Sequence, residues 1–140
     1  NRIWNRPKWR NNCSSYDVQG FEQLPESGDL LIITKSLKDV MVLNTFGFTS
    51  IAPQSEHSTI PIVIYNHLKA RFKNIIVFFD YDEGGLKGAE KLKEKYGMKT
   101  IFIPKHYLEL YGIKDISDFR KEMGENKTKE LLNEMFYENT

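Results

Sequence analysis

Asn74 to Gly85 reads Asn-Ile-Ile-Val-Phe-Phe-Asp-Tyr-Asp-Glu-Gly-Gly, with the apolar residues Ile75 to Phe79 running straight into two aspartates spaced i, i+2. An apolar run of this length, rich in β-branched and aromatic residues, predicts a strand buried on both faces. Side chains at i and i+2 of an extended segment point to the same side. Asp80 and Asp82 are therefore expected side by side at the carboxyl end of a central strand. In open α/β sheets that edge is where ligands bind. Two carboxylates held that close repel each other unless a cation or a proton lies between them. The economical reading is a magnesium site.

The flanking sequence sets this strand in an alternating pattern. Upstream, Leu30-Leu31-Ile32-Ile33 within 29–34 predicts a short buried strand, and Ser36 is a natural cap for the helix that follows. Leu37, Val40, Met41 and Leu43, with Phe46 behind, have helical spacing, and Gly47 is the stop. A second strand is expected over 48–53, then the polar loop Gln54-Ser55-Glu56-His57-Ser58 and a helix over about 60–72, with Pro61 in its first turn. Downstream of the double aspartate, 84–96 predicts a helix with Leu86, Ala89, Leu92 and Tyr96 as its buried stripe, ended by Gly97. A fourth strand over 99–104, a loop, and helices over 117–123 and 127–137 complete the chain. Strands alternating with helices imply βαβ units and a mostly parallel sheet.

The 140 residues, 40% hydrophobic and 13% aromatic, fit one compact domain with a single core and exclude a disordered chain. The lone cysteine, Cys13, excludes an internal disulfide or a cysteine-rich zinc site and fits a reducing compartment. No signal peptide and no membrane-spanning stretch is visible, so the expected location is the cytoplasm. The chain opens on Asn1 rather than Met, as an excised piece of a longer protein would. Net charge is only +1, but Arg2, Arg6, Lys8 and Arg10 put +4 into the first ten residues, interleaved with Trp4 and Trp9. Basic plus aromatic is the composition of a single-stranded nucleic-acid contact. The competing reading is a linker whose tryptophans pack on the domain. Arg6, Lys8, Trp9 and Arg10 are the expected nucleic-acid-binding residues. Lys87, Lys91, Lys93 and Lys95 are expected on a solvated helix face.

Three acidic clusters fall at strand ends: Asp80 and Asp82 after the third strand, Asp39 one helical turn beyond the first, and Asp115 and Asp118 after the fourth. Parallel strands present one common edge, so the clusters can converge. Asp115 and Asp118 also suit a second role, as caps of the helix that follows. Gly84 and Gly85 allow a tight turn, and the helix start behind them favours phosphate. Metal plus phosphate suggests phosphoryl-transfer or phosphodiester chemistry.

The order of elements, with Thr-Lys-Ser-Leu-Lys-Asp after the first strand, Asp-Tyr-Asp-Glu-Gly-Gly after the third and Lys-Asp-Ile-Ser-Asp-Phe after the fourth, resembles the TOPRIM domain. That domain is shared by DnaG-type primases, phage primase–helicases, type IA and type II topoisomerases and some nucleases. The last two segments look most like primases of phages and mobile elements. The resemblance covers about residues 29–123. It implies an α/β TOPRIM fold, a four-stranded, mostly parallel sheet flanked by helices, over 29–140, preceded by a basic and aromatic lead-in over 1–28. It further implies a Mg²⁺ or Mn²⁺ ion on Asp80 and Asp82, supported by Asp39 and joined by Asp115 and Asp118.

One position departs from that pattern. The family's first strand ends in Glu followed by Gly, and that glutamate is read as a general acid/base or as metal support. Here the pair is Lys35-Ser36. A lysine cannot ligate magnesium, and its charge opposes a nearby cation. Lys35 then marks lost catalysis, a phosphate contact, or a role handed to another acid. Glu56, just after the second strand, is the candidate replacement, because that strand lies beside the first in TOPRIM folds.

With Asp80, Asp82, Glu56 and Lys35 as catalytic candidates, the resemblance implies the metal-binding module of a DNA primase. Its partners would be a single-stranded DNA template, nucleoside triphosphates and a replicative helicase, with no membrane and with the host cytoplasm as the location if the protein is phage-encoded. A non-catalytic nucleic-acid-binding module and a TOPRIM nuclease are the alternatives. A haloacid-dehalogenase phosphatase would want Thr or Val where this chain has Gly84, and would carry its motif on the first strand. A receiver domain would need an acid pair where Lys35 stands.

Overall fold

Along the two central strands alternate side chains go to opposite faces, and each face meets its own layer of helices. Ile32, Ile76 and Phe78 belong to one buried cluster, and Leu31, Ile33, Val77 and Phe79 to the other. This is the period-2 pattern of a strand covered on both sides. The computed structural model describes residues 18–19, 24–53 and 60–137 of the chain.

The strands are β1 (Val18–Gln19), β2 (Gly28–Thr34), β3 (Ser50–Pro53), β4 (Phe72–Phe78) and β5 (Lys99–Ile101). The helices are α1 (Leu37–Thr45), α2 (Ile62–Arg71), α3 (Glu83–Tyr96), α4 (Lys105–Tyr111), α5 (Ile116–Met123) and α6 (Glu125–Tyr137). The sheet order is β1-β3-β2-β4-β5. β3, β2, β4 and β5 are parallel, and β1 adds an antiparallel edge through Val18 opposite Pro53. The expected four-stranded parallel sheet flanked by helices is therefore present, and two residues of the lead-in segment join it. β2 and β4 pair from Gly28 opposite Phe72 to Thr34 opposite Phe78, so their carboxyl ends are level.

One layer holds α1, α5 and α6, with Leu43, Phe119, Leu132 and Phe136 fully buried. Phe136 packs edge-on to Phe78 at 5.4 Å between centroids, which makes α6 part of the core. The other layer holds α2 and α3, where Tyr65 stacks on Tyr96 at 4.0 Å.

Several local expectations need correction. α1 buries Val40, Val42 and Leu43, while Leu37 and Met41 are exposed. α3 approaches the sheet through Gly85, Gly88, Ala89 and Leu92, leaving Leu86 exposed. Three of those four contact residues are small, which lets the helix come close to the sheet. Pro61 is the N-cap of α2 rather than a first-turn residue. β5 stops at Ile101, and α4 occupies part of what the sequence suggests is loop. Glu56, Arg6, Lys8, Trp9 and Arg10 lie outside the described residues. No helix among the described residues is long and apolar enough to cross a membrane.

Candidate metal centre

β4 ends at Phe78, and its parity carries into the next two residues. Asp80 follows Phe78 by two and turns to the α1/α5 side, where it is buried with 4% of its surface exposed. Asp39 reaches the same place from the first turn of α1, which Ser36 caps by accepting from the Asp39 N–H. Asp115 reaches it from the N-cap of α5. The Tyr81 N–H donates to the Lys114 carbonyl at 2.9 Å, tying the segment before α5 to the turn after β4. Carboxylate oxygens of Asp39, Asp80 and Asp115 thus lie within 4.8 Å of one another. The convergence expected at the carboxyl edge of parallel strands is present for these three.

Asp82 and Asp118 stand outside this trio. The strand has ended before Asp82, so the i, i+2 alternation no longer applies to it. Asp82 instead caps α3, its Oδ1 accepting from the Gly85 N–H at 2.8 Å. The helix start expected to be open to phosphate is filled by the chain's own carboxylate. Asp118 supplies its backbone N–H to Asp115 Oδ1 at 2.8 Å.

Lys35 follows the last residue of β2 and projects onto the double aspartate. Its Nζ lies 3.0 Å from Asp80 Oδ2 and 3.8 Å from Asp82 Oδ2. Lys114 Nζ lies 3.3 Å from the same Asp82 oxygen. The lysine expected to repel a nearby cation is itself the cation of this pair. Two residues that sequence reasoning passed over shape the site. Lys114 is one. Ser117 is the other, donating to Asp39 Oδ1 from its hydroxyl at 2.7 Å and from its backbone N–H at 3.3 Å. Both flank Asp115, which was the available signal.

Electrostatics follow from burial. Desolvation pushes the Asp80 carboxyl up to about 6, against the pull of Lys35, and Asp115 and Asp39 add repulsion. Burial also raises Asp39, opposed by its bonds to Ser117. At Asp82 the Gly85 N–H and the two lysines outweigh burial and hold the carboxyl below its usual range. Three converging carboxylates, two of them reluctant to ionise, are a place where a cation is favourable. An all-oxygen donor set suits Mg²⁺ or Mn²⁺ rather than a soft metal. The residues present therefore fit a divalent ion on Asp39, Asp80 and Asp115. Beside them runs a groove of about 480 Å³ that includes Ser117, Met41 and Val42, the cations Lys38 and Lys121, and the ion pair Arg120–Glu125.

Comparison with solved structures gives the architecture a precedent. The primase fragment of the bacteriophage T7 primase-helicase superposes with a TM-score of 0.65 at 16% identity, over 86% of this chain and 48% of that one. The fold is the TOPRIM fold of primases. The DnaG catalytic core gives a TM-score of 0.64 at 16% identity, over 86% of this chain and 40% of that one. A third match has a TM-score of 0.58 at 17% identity and covers 88% of this chain and 60% of its own. It comes from a complex of the bacteriophage T7 lagging-strand DNA polymerase with primase domains bound to an RNA/DNA hybrid and dTTP. The chain thus spans between 40% and 60% of the length of the solved chains it matches. No protein-family profile and no curated sequence matches it.

Proposed function

We propose that this chain is the metal-binding TOPRIM module of a DNA primase that makes RNA primers on single-stranded DNA. The observation that carries the reading is the meeting of Asp39, Asp80 and Asp115 at the carboxyl edge of a sheet with the primase fold. A divalent ion held by these carboxylates would neutralise nucleotide phosphate oxygens and charge developing in phosphoryl transfer. The chain's own residues do the rest. Ser117 and Ser36 fix the Asp39 carboxylate through both its oxygens. Lys114, on the rim at Asp82, is placed to meet a phosphate that competes for it. Lys38 and Lys121 give the adjacent groove positive charge for a nucleic-acid backbone, while its Arg120 is paired with Glu125 at 2.6 Å. Arg6, Lys8, Trp9 and Arg10 extend that contact to single-stranded template in this reading. Glu56 supplies the acid/base group that Lys35 cannot; β3, which leads to it, ends on the same sheet edge. Nucleoside triphosphates and a helicase are the remaining partners, in the cytoplasm of the replicating cell.

Lys35 favours a second reading, a module that keeps the fold and binds nucleic acid without catalysis. Primer synthesis by the full-length parent protein on single-stranded DNA separates the two. Asp80→Ala and Asp115→Ala are each expected to lower the rate by at least about 10²-fold, the scale of losing a main electrostatic stabiliser. Equal activity in both variants sinks the catalytic reading, and metal-dependent cleavage without synthesis favours a nuclease.

A further inference from the structure

We propose that Lys35 is a resident cation that stands in for a metal ion between Asp80 and Asp82. The inference rests on the reading of the Asp39–Asp80–Asp115 trio as a metal site, and it assigns a different job to the other half of the acidic cluster.

The geometry is that of a bridging cation. One ammonium group touches both members of the Asp-x-Asp, at 3.0 Å and 3.8 Å. It is not a wandering surface lysine: its side chain is 25% exposed and leaves from the end of a central strand, whose last residue, Thr34, is opposite Phe78. Both Asp82 oxygens already face positive partners from the chain itself. One of its oxygens caps α3 and the other takes Lys35 and Lys114.

Charge balance leads to a stoichiometry. Four carboxylates (Asp39, Asp80, Asp82, Asp115) meet two ammonium groups (Lys35, Lys114), which leaves two negative charges when all are ionised. One divalent ion neutralises that. A glutamate at position 35 would leave four negative charges, the complement of two divalent ions. Lys35 therefore restricts the site to one ion and keeps Asp82 aligned as a helix cap, whether or not metal is bound.

The test counts Mn²⁺ ions bound to the 140-residue chain, by calorimetry and by electron paramagnetic resonance, in the wild type, Lys35→Glu and Lys35→Met. The wild type is expected to bind one ion. Lys35→Glu is expected to bind a second, and Lys35→Met to bind Mn²⁺ at least about tenfold more tightly, because a like charge next to the ion is gone. Circular dichroism checks that the variants fold. Should Lys35→Glu fail to fold, the melting temperature of Lys35→Met carries the test, since added Mn²⁺ should raise it more than that of the wild type. Two ions on the wild type, or Lys35 variants with unchanged count and affinity, overturn the assignment while leaving the trio as a metal site. No binding by wild type but binding by Lys35→Glu upholds Lys35 as the stand-in and overturns the trio. No binding by any of them overturns both.

Discussion

Asp80, at 4% exposure, has one oxygen on the Lys35 ammonium group and two further carboxylates within reach. Its carboxyl is raised from 3.8 to about 6, chiefly by burial. An unfolded aspartate keeps its ordinary value, so between about pH 4 and 6 the folded chain binds a proton more tightly. That contribution to stability is complete below pH 4 and is lost as pH rises through 6. A shift of about two pH units amounts to at most about 3 kcal/mol. Denaturant unfolding of the metal-free chain is expected to show this fall, and Asp80→Asn to flatten it. A wild-type profile that rises through that window, relative to Asp80→Asn, would contradict the raised carboxyl. Ser117 is the second residue to test. Its hydroxyl supports a carboxylate that is 2% exposed, at 2.7 Å. Ser117→Ala should cost about 1.5–3 kcal/mol in urea unfolding, the range for a hydrogen bond to a charged group, while a loss under 0.5 kcal/mol would leave Asp39 unsupported by it.

At the scale of elements, the site depends on how closely α3 follows β4. A Cβ built on Gly85 would lie 2.0 Å from the Asp80 carbonyl oxygen. Backbone cannot yield as a side-chain tip does, so Gly85→Ala is expected to destabilise by roughly 2–3 kcal/mol or more and to weaken Mn²⁺ binding by moving Asp80. Near-native stability with unchanged metal affinity would show that the turn is soft. The same contact explains what the sequence could and could not reveal. The apolar runs of β2 and β4, with their two-faced alternation, and the helix caps Ser36, Asp82 and Asp115 are local signals that survive folding. The common sheet edge that gathers Asp39, Asp80 and Asp115 follows from parallel strands alone. Asp82 lies beside Asp80, close enough for Lys35 to reach both, but β4 ends four residues before it and its side chain caps α3. The face of α1 was ambiguous because its nine residues carry apolar side chains on most sides, so tertiary packing chose Val42 over Met41. α4 has no side-chain cap and no buried residue to give it a periodic stripe. Lys114 and Ser117 matter only through contacts made across the fold.

At the scale of the whole molecule, a chain at 16–17% identity keeps the primase architecture over 86–88% of its length. The shared architecture here carries a lysine, Lys35, within reach of the acidic cluster at the carboxyl edge of the sheet. That combination is physically consistent. The ammonium group offsets one charge of the pair it reaches, and the trio next to it, with Asp39 and Asp80 buried, still favours a cation. The central claim is that the ion belongs on Asp39, Asp80 and Asp115. A crystal structure of the 140-residue chain soaked in Mn²⁺, with anomalous scattering to locate the metal, tests it most directly. The predicted result is a single peak about 2.1 Å from oxygens of the trio, with Lys35 still bridging Asp80 and Asp82. A peak between Asp80 and Asp82 with Lys35 displaced, or no peak on the trio at saturating Mn²⁺, would contradict it.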